Sequence, residues 1–519
     1  MSAALEELVA FVLEETGQPI DVWAVAATLE SRGVRDIDAR ERHGRSDVFE
    51  LAEAVLAECR TRPLPAVQPV EVPRPGVGRF VRLYVRGGFF FVPLLMQLVS
   101  IVVLGYGLWA STDFSARQAS IVGCALIFSF VVTGAAVQVL GYVGPRFSEA
   151  GKHTLAARAA AALLGLGVAS LAAGAGLWVL VEWLAHAWGW RTLGAGLVYY
   201  ALAGLLALAS GALYMLRQFA TMTLTTAGGI AVVGLVLHET TLGIYAAHWL
   251  GLGSVVAVEA GWAVVILHRR SRNLPAELAA ATSPPLGLLA KAALPFAVYG
   301  FVYYAFLFTD RLFAWSAGSH GRPFTFRPDY EVGLDWALLA VAPALAYLEI
   351  AVHALSDRLN HEGSRYLLER AGEHNRAYRR FYLRRLALLV CLWVLGGGAA
   401  FGALRAAHRF HGLHEVGGFF VDPTTVRVYL VGVGGYGLLV WGLYNGSFLF
   451  ALGRPWRVLR ALLPAFAVAI AVAFVCSRAI APWAASFGLL AGALVLALVS
   501  LLETHRLLGR LDYYSFAAF

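Results

Sequence analysis

Charge is what this sequence has least of. Only 14% of its 519 residues are Asp, Glu, Lys or Arg, while 59% are hydrophobic. An average soluble domain carries roughly 25% charged residues. A water-soluble chain of this length could not hide that much apolar surface, whereas a bilayer accepts it. Cysteine is scarce too. Cys59, Cys124, Cys391 and Cys476 show no metal-ligand spacing, and three of them lie in or beside apolar runs. They read as small buried residues. Period-two alternation is missing from the apolar runs, which are rich in Leu, Ala, Gly and Val. That argues for helices rather than a barrel. Enzyme signatures are missing as well: there is no HExxH, no GxSxG, no Walker A and no DHHC-type cysteine cluster. No enzymatic activity and no cofactor are expected, and the coupling ion is left open. Residues 1–60 lack the apolar core that a cleavable signal peptide requires.

What the chain has instead is apolar runs, each about 20 residues long, the length a helix needs to cross a bilayer. The expected fold class is an all-α polytopic membrane protein with about twelve transmembrane helices, arranged as two six-helix bundles, plus a small N-terminal cytoplasmic helical domain. The spans are placed near 88–110, 118–141, 156–184, 193–215, 219–239, 243–267, 285–308, 334–355, 385–405, 425–450, 457–477 and 481–504. The distribution of positive charge supports the count. With both termini inside, the cytoplasmic segments from Arg74 onward carry 25 Lys/Arg and the outer loops 9. The net charge of +8 therefore belongs to loop arginines facing lipid and cytoplasm, not to a nucleic-acid surface.

The expected domains follow from composition. Residues 1–62 form a cytoplasmic three-helix domain. Leu5, Leu8, Val9, Val12 and Leu13 recur at helical spacing, Asp21 can cap a second helix, and Asp47 with Glu50 resembles a capping box for a third. Asp36, Asp38, Arg40, Glu41 and Arg42 read as a solvated mixed-charge turn. Residues 63–87 are a Pro-rich linker and a basic amphipathic entry to the membrane. Residues 88–270 and 271–519 are the two membrane halves. The second contains a basic cytoplasmic loop, 357–385, expected to form one or two surface helices. Its Arg376, Arg379 and Arg380 are candidates for partner docking. Gly-rich stretches such as Leu395-Gly396-Gly397-Gly398 permit close helix approach.

Polar groups inside spans are the functional candidates, because exposing them to lipid is costly unless they face protein or water. The candidate substrate path comprises Asp310, Arg311, Glu349, His353, Glu259, Tyr303 and Tyr304. Asp310 and Arg311 end the seventh expected span on the outer side. Glu349 and His353 lie one turn apart in the inner half of the eighth, so the four could mark two ends of a path. Glu259 sits mid-span in the sixth. Tyr199, Tyr200, Tyr299, Phe301, Tyr303, Tyr304, Phe306 and Phe308 crowd two spans, where aromatic faces could stack on sugar rings or simply pack. A structural ion pair with packed polar neighbours is the competing reading for the charges. His238-Glu239 reads as an interfacial pair, and His408, His411 and His414 as exposed loop residues.

Several of these stretches together resemble PelG-type inner-membrane transporters of Pel exopolysaccharide systems, in the flippase superfamily of multidrug, oligosaccharide and lipid exporters. Asp310-Arg311-Leu312-Phe313-Ala314-Trp315 is similar to that family's Asp-Lys-aromatic stretch ending in Trp. Asp329-Tyr330-Glu331, followed by Pro343-Ala344-Leu345-Ala346, resembles its Tyr-Asp and Pro-Gly-Met-Ala pair of motifs. Leu508-Gly509-Arg510-Leu511-Asp512-Tyr513-Tyr514-Ser515-Phe516 resembles its C-terminus, and Thr133-Gly134 also fits. His353-Ala354 stands where the family has Glu-Thr, with Glu349 one turn earlier on the same face. The resemblance covers about residues 80–519. It implies export of a polysaccharide, or of a lipid-linked precursor, across the bacterial inner membrane. The implied partners are a cytoplasmic glycosyltransferase and other synthase subunits. A non-transporting scaffold for such a synthase is the alternative from a different class.

Overall fold

A computed structural model describes residues 3–16, 19, 21–62, 78, 82, 84, 88, 92–149, 153–272, 286–318, 323–362, 371–409 and 420–511. Most of the Pro-rich linker, His411, His414 and the C-terminal motif from Asp512 lie outside these residues. The chain divides into two compact units. One comprises residues 1–80, 351–385 and 505–519; the other comprises 81–350 and 386–504.

The N-terminal segment of the first unit contains four helices: α1 (Ala3–Thr16), α2 (Val22–Ser31), α3 (Asp36–His43) and α4 (Val48–Thr61). Their core is Leu8, Val9, Val12, Val25, Leu29, Leu51, Val55, Leu56 and Cys59. The expected caps are in place. Asp21 accepts a hydrogen bond from the Ala24 N–H at 2.9 Å, and Asp47 accepts one from the Glu50 N–H at 2.8 Å. Glu50 in turn accepts from the Ser46 N–H at 2.7 Å. The expectation of three helices is corrected to four, because the mixed-charge stretch is helical. Asp38 accepts from the Arg35 N–H at 3.1 Å, satisfying a donor at the helix start, and Gly44, with φ of +64°, ends it. Only Ala39 of this helix is buried, so hydrophobic periodicity could not reveal it.

The membrane helices are α5 (Val92–Leu104), α6 (Ala116–Glu149), α7 (His153–Ala185), α8 (Trp190–Met215), α9 (Phe219–Glu239), α10 (Ile244–Arg272), α11 (Leu286–Ser316), α12 (Pro328–Glu362), α13 (Ala371–Ala407), α14 (Pro423–Ala451), α15 (Pro455–Ala479) and α16 (Ser486–Leu508). Among the described residues, eleven helices are long and apolar enough to cross a bilayer, and α5 adds a shorter apolar helix. Pro145, Pro295, Pro343 and Pro464 lie inside helices. Neighbouring helices can satisfy the carbonyls such prolines free.

Two boundaries differ from expectation in a way that matters. α11 continues to Ser316 and α12 already begins at Pro328, so the connection between them is shorter than the hydropathy pattern suggests. The basic loop is also not a pair of separate surface helices. Its described parts are continuations of α12 to Glu362 and of α13 from Ala371. Charged residues lower the hydropathy of these turns without breaking their helical backbone.

α6 is the central packing element: it lies against α7, α8 and α11. Its approach to α11 requires glycine on both sides. A Cβ on Gly300 would collide with the Gly134 carbonyl oxygen, and one on Gly134 would lie 2.7 Å from the Gly300 carbonyl oxygen. Gly396 permits a similar contact between α13 and the Ala340 carbonyl of α12.

Candidate functional site

Arg311 and Trp315 are four residues apart on α11 and share a face; Glu331 and Asp335 are four apart on α12 and do the same. The two faces meet. The Arg311 Nε donates to Glu331 Oε2 at 2.7 Å, and its Nη2 lies 3.5 Å from Asp335 Oδ1. The Trp315 indole N–H donates to Glu331 Oε1 at 2.9 Å. Next to them, the Tyr330 hydroxyl donates to Asp310 Oδ2 at 2.7 Å. Asp310 and Tyr330 are fully buried, yet Asp310 Oδ1 has no hydrogen-bond partner. Tyr436 of α14 lies within electrostatic reach of Asp310 and Arg311.

This corrects the placement of the doublet. Asp310 and Arg311 do not end the seventh span. They lie inside α11, which runs on past Trp315. Trp315 is fixed in turn by α6, where a Cβ on Gly123 would come within 2.6 Å of its ring. Glu331 and Arg311 are almost closed off, with 12% and 9% of their side chains accessible, whereas Asp335 keeps 40%. The Asp335 carboxylate therefore faces open space. In formal charge the cluster holds three carboxylates and one guanidinium, so it is acidic in excess.

Below the cluster, α11 carries a ladder of rings. Tyr142 of α6 stacks on Phe296, with ring centroids 3.7 Å apart. Tyr299 stacks on Tyr303 at 5.6 Å, and Tyr303 meets Tyr304 edge-on at 5.6 Å. Phe130 of α6 stacks on both Tyr304, at 6.2 Å, and Phe308, at 6.3 Å. The Arg311 guanidinium lies 5.6 Å from the Phe308 ring centre. At 1.5 Å per residue, Phe296 to Arg311 covers roughly 22 Å of helix. Tyr303 and Tyr304 are half-buried.

The other candidates sit elsewhere. Glu349 is half-buried on α12, within electrostatic reach of Tyr214 of α8. It is fourteen residues from Asp335, roughly 21 Å along the helix. His353 falls in the other compact unit, which begins again at residue 351. Glu259 of α10 is 1% exposed, and its carboxyl oxygens lie within hydrogen-bond distance of the Ser210 hydroxyl of α8 (2.6 Å) and the Thr225 hydroxyl of α9 (2.8 Å). Arg376, Arg379 and Arg380 are exposed on the first turns of α13, while Tyr378 and Tyr382 on the same turns are buried. Among the described residues, no group of three or more His, Cys, Asp or Glu side chains could hold a metal.

Sequence reasoning missed Asp335 altogether and treated Glu331 only as part of a motif. The available signal was their i, i+4 spacing, which matches that of Arg311 and Trp315. Ser210 and Thr225 were missed because hydroxyls inside apolar helices are common and ordinarily bond their own backbone.

No protein-family model and no curated protein matches the chain. Solved structures do. The outward-facing form of a multidrug resistance MATE-family transporter of the MOP superfamily matches with a TM-score of 0.52 at 13% identity, over 83% of this chain and 96% of that one. A MATE protein in complex with MaD3S matches with a TM-score of 0.55 at 14% identity, over 83% and 96%. A MOP-superfamily transporter from Pyrococcus furiosus Vc1, described by the reverse polarity of its binding pocket, matches with a TM-score of 0.55 at 14% identity, over 82% and 95%. At such identities the likeness is one of fold. The chain is a multi-pass membrane protein with the fold of MATE-type transporters.

Proposed function

We propose that this chain exports a Pel-like exopolysaccharide across the bacterial inner membrane, working with a cytoplasmic glycosyltransferase and other synthase subunits. The observation that carries this reading is the continuous ring ladder of α11 rising to an acidic cluster. Sugar rings present C–H faces that stack on aromatic rings, and their hydroxyl or amino groups can donate to carboxylates. Tyr303 and Tyr304, each only partly buried, are the proposed aromatic contacts. Asp335, with 40% of its side chain accessible, supplies the acceptor. The transporter fold and the motif resemblance support the same reading. The exposed Arg376, Arg379 and Arg380 are the proposed docking residues for the synthase partner.

The acidic excess also bears on the alternative, a flippase for a lipid-linked oligosaccharide. A pyrophosphate linkage calls for unpaired cations, whereas Arg311 is already engaged by Glu331 and Asp335. The test is surface polymer measured in producing cells, with membrane levels of the protein matched. Tyr303→Ala with Tyr304→Ala, and Asp335→Asn, should each reduce polymer several-fold. Normal polymer in all of them overturns the path and leaves a scaffold role.

A further inference from the structure

The Glu259 carboxyl group is held by three helices without a counter-ion. Among the described residues its only hydrogen bonds are to Ser210 and Thr225, and no Lys, Arg or His forms an ion pair with it. The cations of the surrounding helices, Arg217, His268, Arg269 and Arg270, gather where α8 turns into α9 and α10 ends, and Arg158 lies near the start of α7. His268 is nine residues from Glu259, roughly 14 Å along α10. The ionisable groups toward the opposite end are His248 and Tyr245 on α10, His238 and Glu239 on α9, Glu182 on α7, and Tyr199 and Tyr200 on α8. His248 is eleven residues from Glu259, roughly 16 Å along α10. A carboxylate so isolated in a membrane domain would be strongly disfavoured.

The hydroxyl geometry accommodates a neutral acid. The Thr225 Oγ1 lies 2.9 Å from the Thr221 carbonyl, 3.0 Å from the Met222 carbonyl and 2.8 Å from Glu259 Oε1. A threonine hydroxyl has one proton, and carbonyls have none to give. If that proton serves the helix carbonyls, the proton between Thr225 and Glu259 must come from Glu259. The carboxylic acid then donates to Thr225 Oγ1 through Oε1, while its other oxygen, Oε2, accepts from the Ser210 hydroxyl at 2.6 Å. Every proton in the network then has an acceptor.

We propose that Glu259 is a proton-binding site of the membrane domain, occupied when α8, α9 and α10 are packed as seen here, whose proton release loosens that packing. A route out exists. Ser210 and Tyr214 are four residues apart on one face of α8, and Tyr214 is in electrostatic reach of Glu349. The proton would leave as its bond to Glu259 breaks and the electron pair stays on the carboxylate. Ser210 already donates to it, so Thr225 would have to turn its proton toward the carboxylate, withdrawing it from the helix carbonyls. This site is independent of what the α11 path carries.

The test uses the full chain, purified in detergent, with Glu259→Gln as the variant. Glutamine keeps the neutral shape and both hydrogen bonds. The infrared difference between the two proteins at neutral pH should show a carboxylic-acid C=O band lost in E259Q, and that band should decline in the wild type as pH is raised. Hydrogen-exchange protection across α8–α10, corrected for the intrinsic pH dependence of exchange, should fall at alkaline pH in the wild type and not in E259Q. A difference spectrum showing loss of an ionised carboxylate band instead overturns the site. Identical pH responses of exchange in the two proteins overturn the switch. Both infrared readings are made on the membrane-extracted protein, so neither depends on knowing the substrate.

Discussion

The membrane domain buries acid in two contrasting ways. Between α11 and α12, three carboxylates are gathered around one guanidinium and pinned by an indole and a phenol. Between α8, α9 and α10, a single carboxyl group rests on two hydroxyls. The first arrangement carries fixed charge, so its integrity depends on a counter-ion that cannot leave. The second can be neutralised by a proton, which comes and goes. A fixed cluster suits recognition of a passing polar chain; a neutralisable group suits a switch. Desolvation drives both, because charge inside a membrane protein must be paired or discharged.

The sharpest break in that contrast is Arg311→Ala. It strands Glu331 and Asp335 without a cation, and removing one partner of a buried pair costs about 3–5 kcal/mol. The expected outcome is a large fall in folded protein and in melting temperature in detergent. Glu259→Gln, by contrast, should melt close to the wild type. Equal melting of Arg311→Ala and wild type would show that water, not Arg311, solvates the cluster.

Removing one hydroxyl from each site gives the next comparison. Tyr330→Phe takes a donor from an acid beside a guanidinium, and hydrogen bonds to charged groups contribute about 1.5–3 kcal/mol. Ser210→Ala takes a donor from a neutral acid, where about 0.5–1.5 kcal/mol is expected. Chemical denaturation of each variant should rank them in that order. The reverse order would mean that Glu259 is ionised and the two sites are alike.

The smallest effect is expected where an acid is exposed to water. Glu50 in the N-terminal helices is held down to about 2, from 4.5, first by the Ser46 backbone N–H and the Ser46 hydroxyl, then by Arg45. A lowered folded-state value gives stability that is present above 4.5 and lost as pH falls toward 2. Hydrogen-exchange protection at the start of α4, corrected for the intrinsic rate, should therefore fall over that interval in the wild type. In Glu50→Gln it should already be lowered at neutral pH and change less on acidification.

Much of this was legible in the sequence. Long apolar runs separated by charge define helices whatever they pack against, and the Asp310-to-Trp315 stretch was recognisable as exceptional. The partners of Arg311 were not. Hydropathy placed the start of the eighth span near 334, since Asp329, Glu331 and Asp335 lower the average there, whereas the helix begins at Pro328. A charge that is neutralised across a helix interface looks, in sequence, like a charge in a loop. α3 was lost for a related reason: its stability rests on capping contacts and one buried alanine.

By itself, the sequence determined that this chain spans a membrane many times, because the free energy of burying apolar side chains is set by their number and spacing along the chain. It also determined which few residues would be costly to bury. Which of them meet was decided only by the tertiary structure. Arg311 meets Glu331 and Asp335 because α11 runs on to Ser316 and α12 begins at Pro328, so the charged turns are helical and face each other. Glu259 forms no ion pair because the residues that reach it from α8 and α9 are the hydroxyls of Ser210 and Thr225. Pairing of charge depends on distance in space, and distance in space is not written in the order of residues.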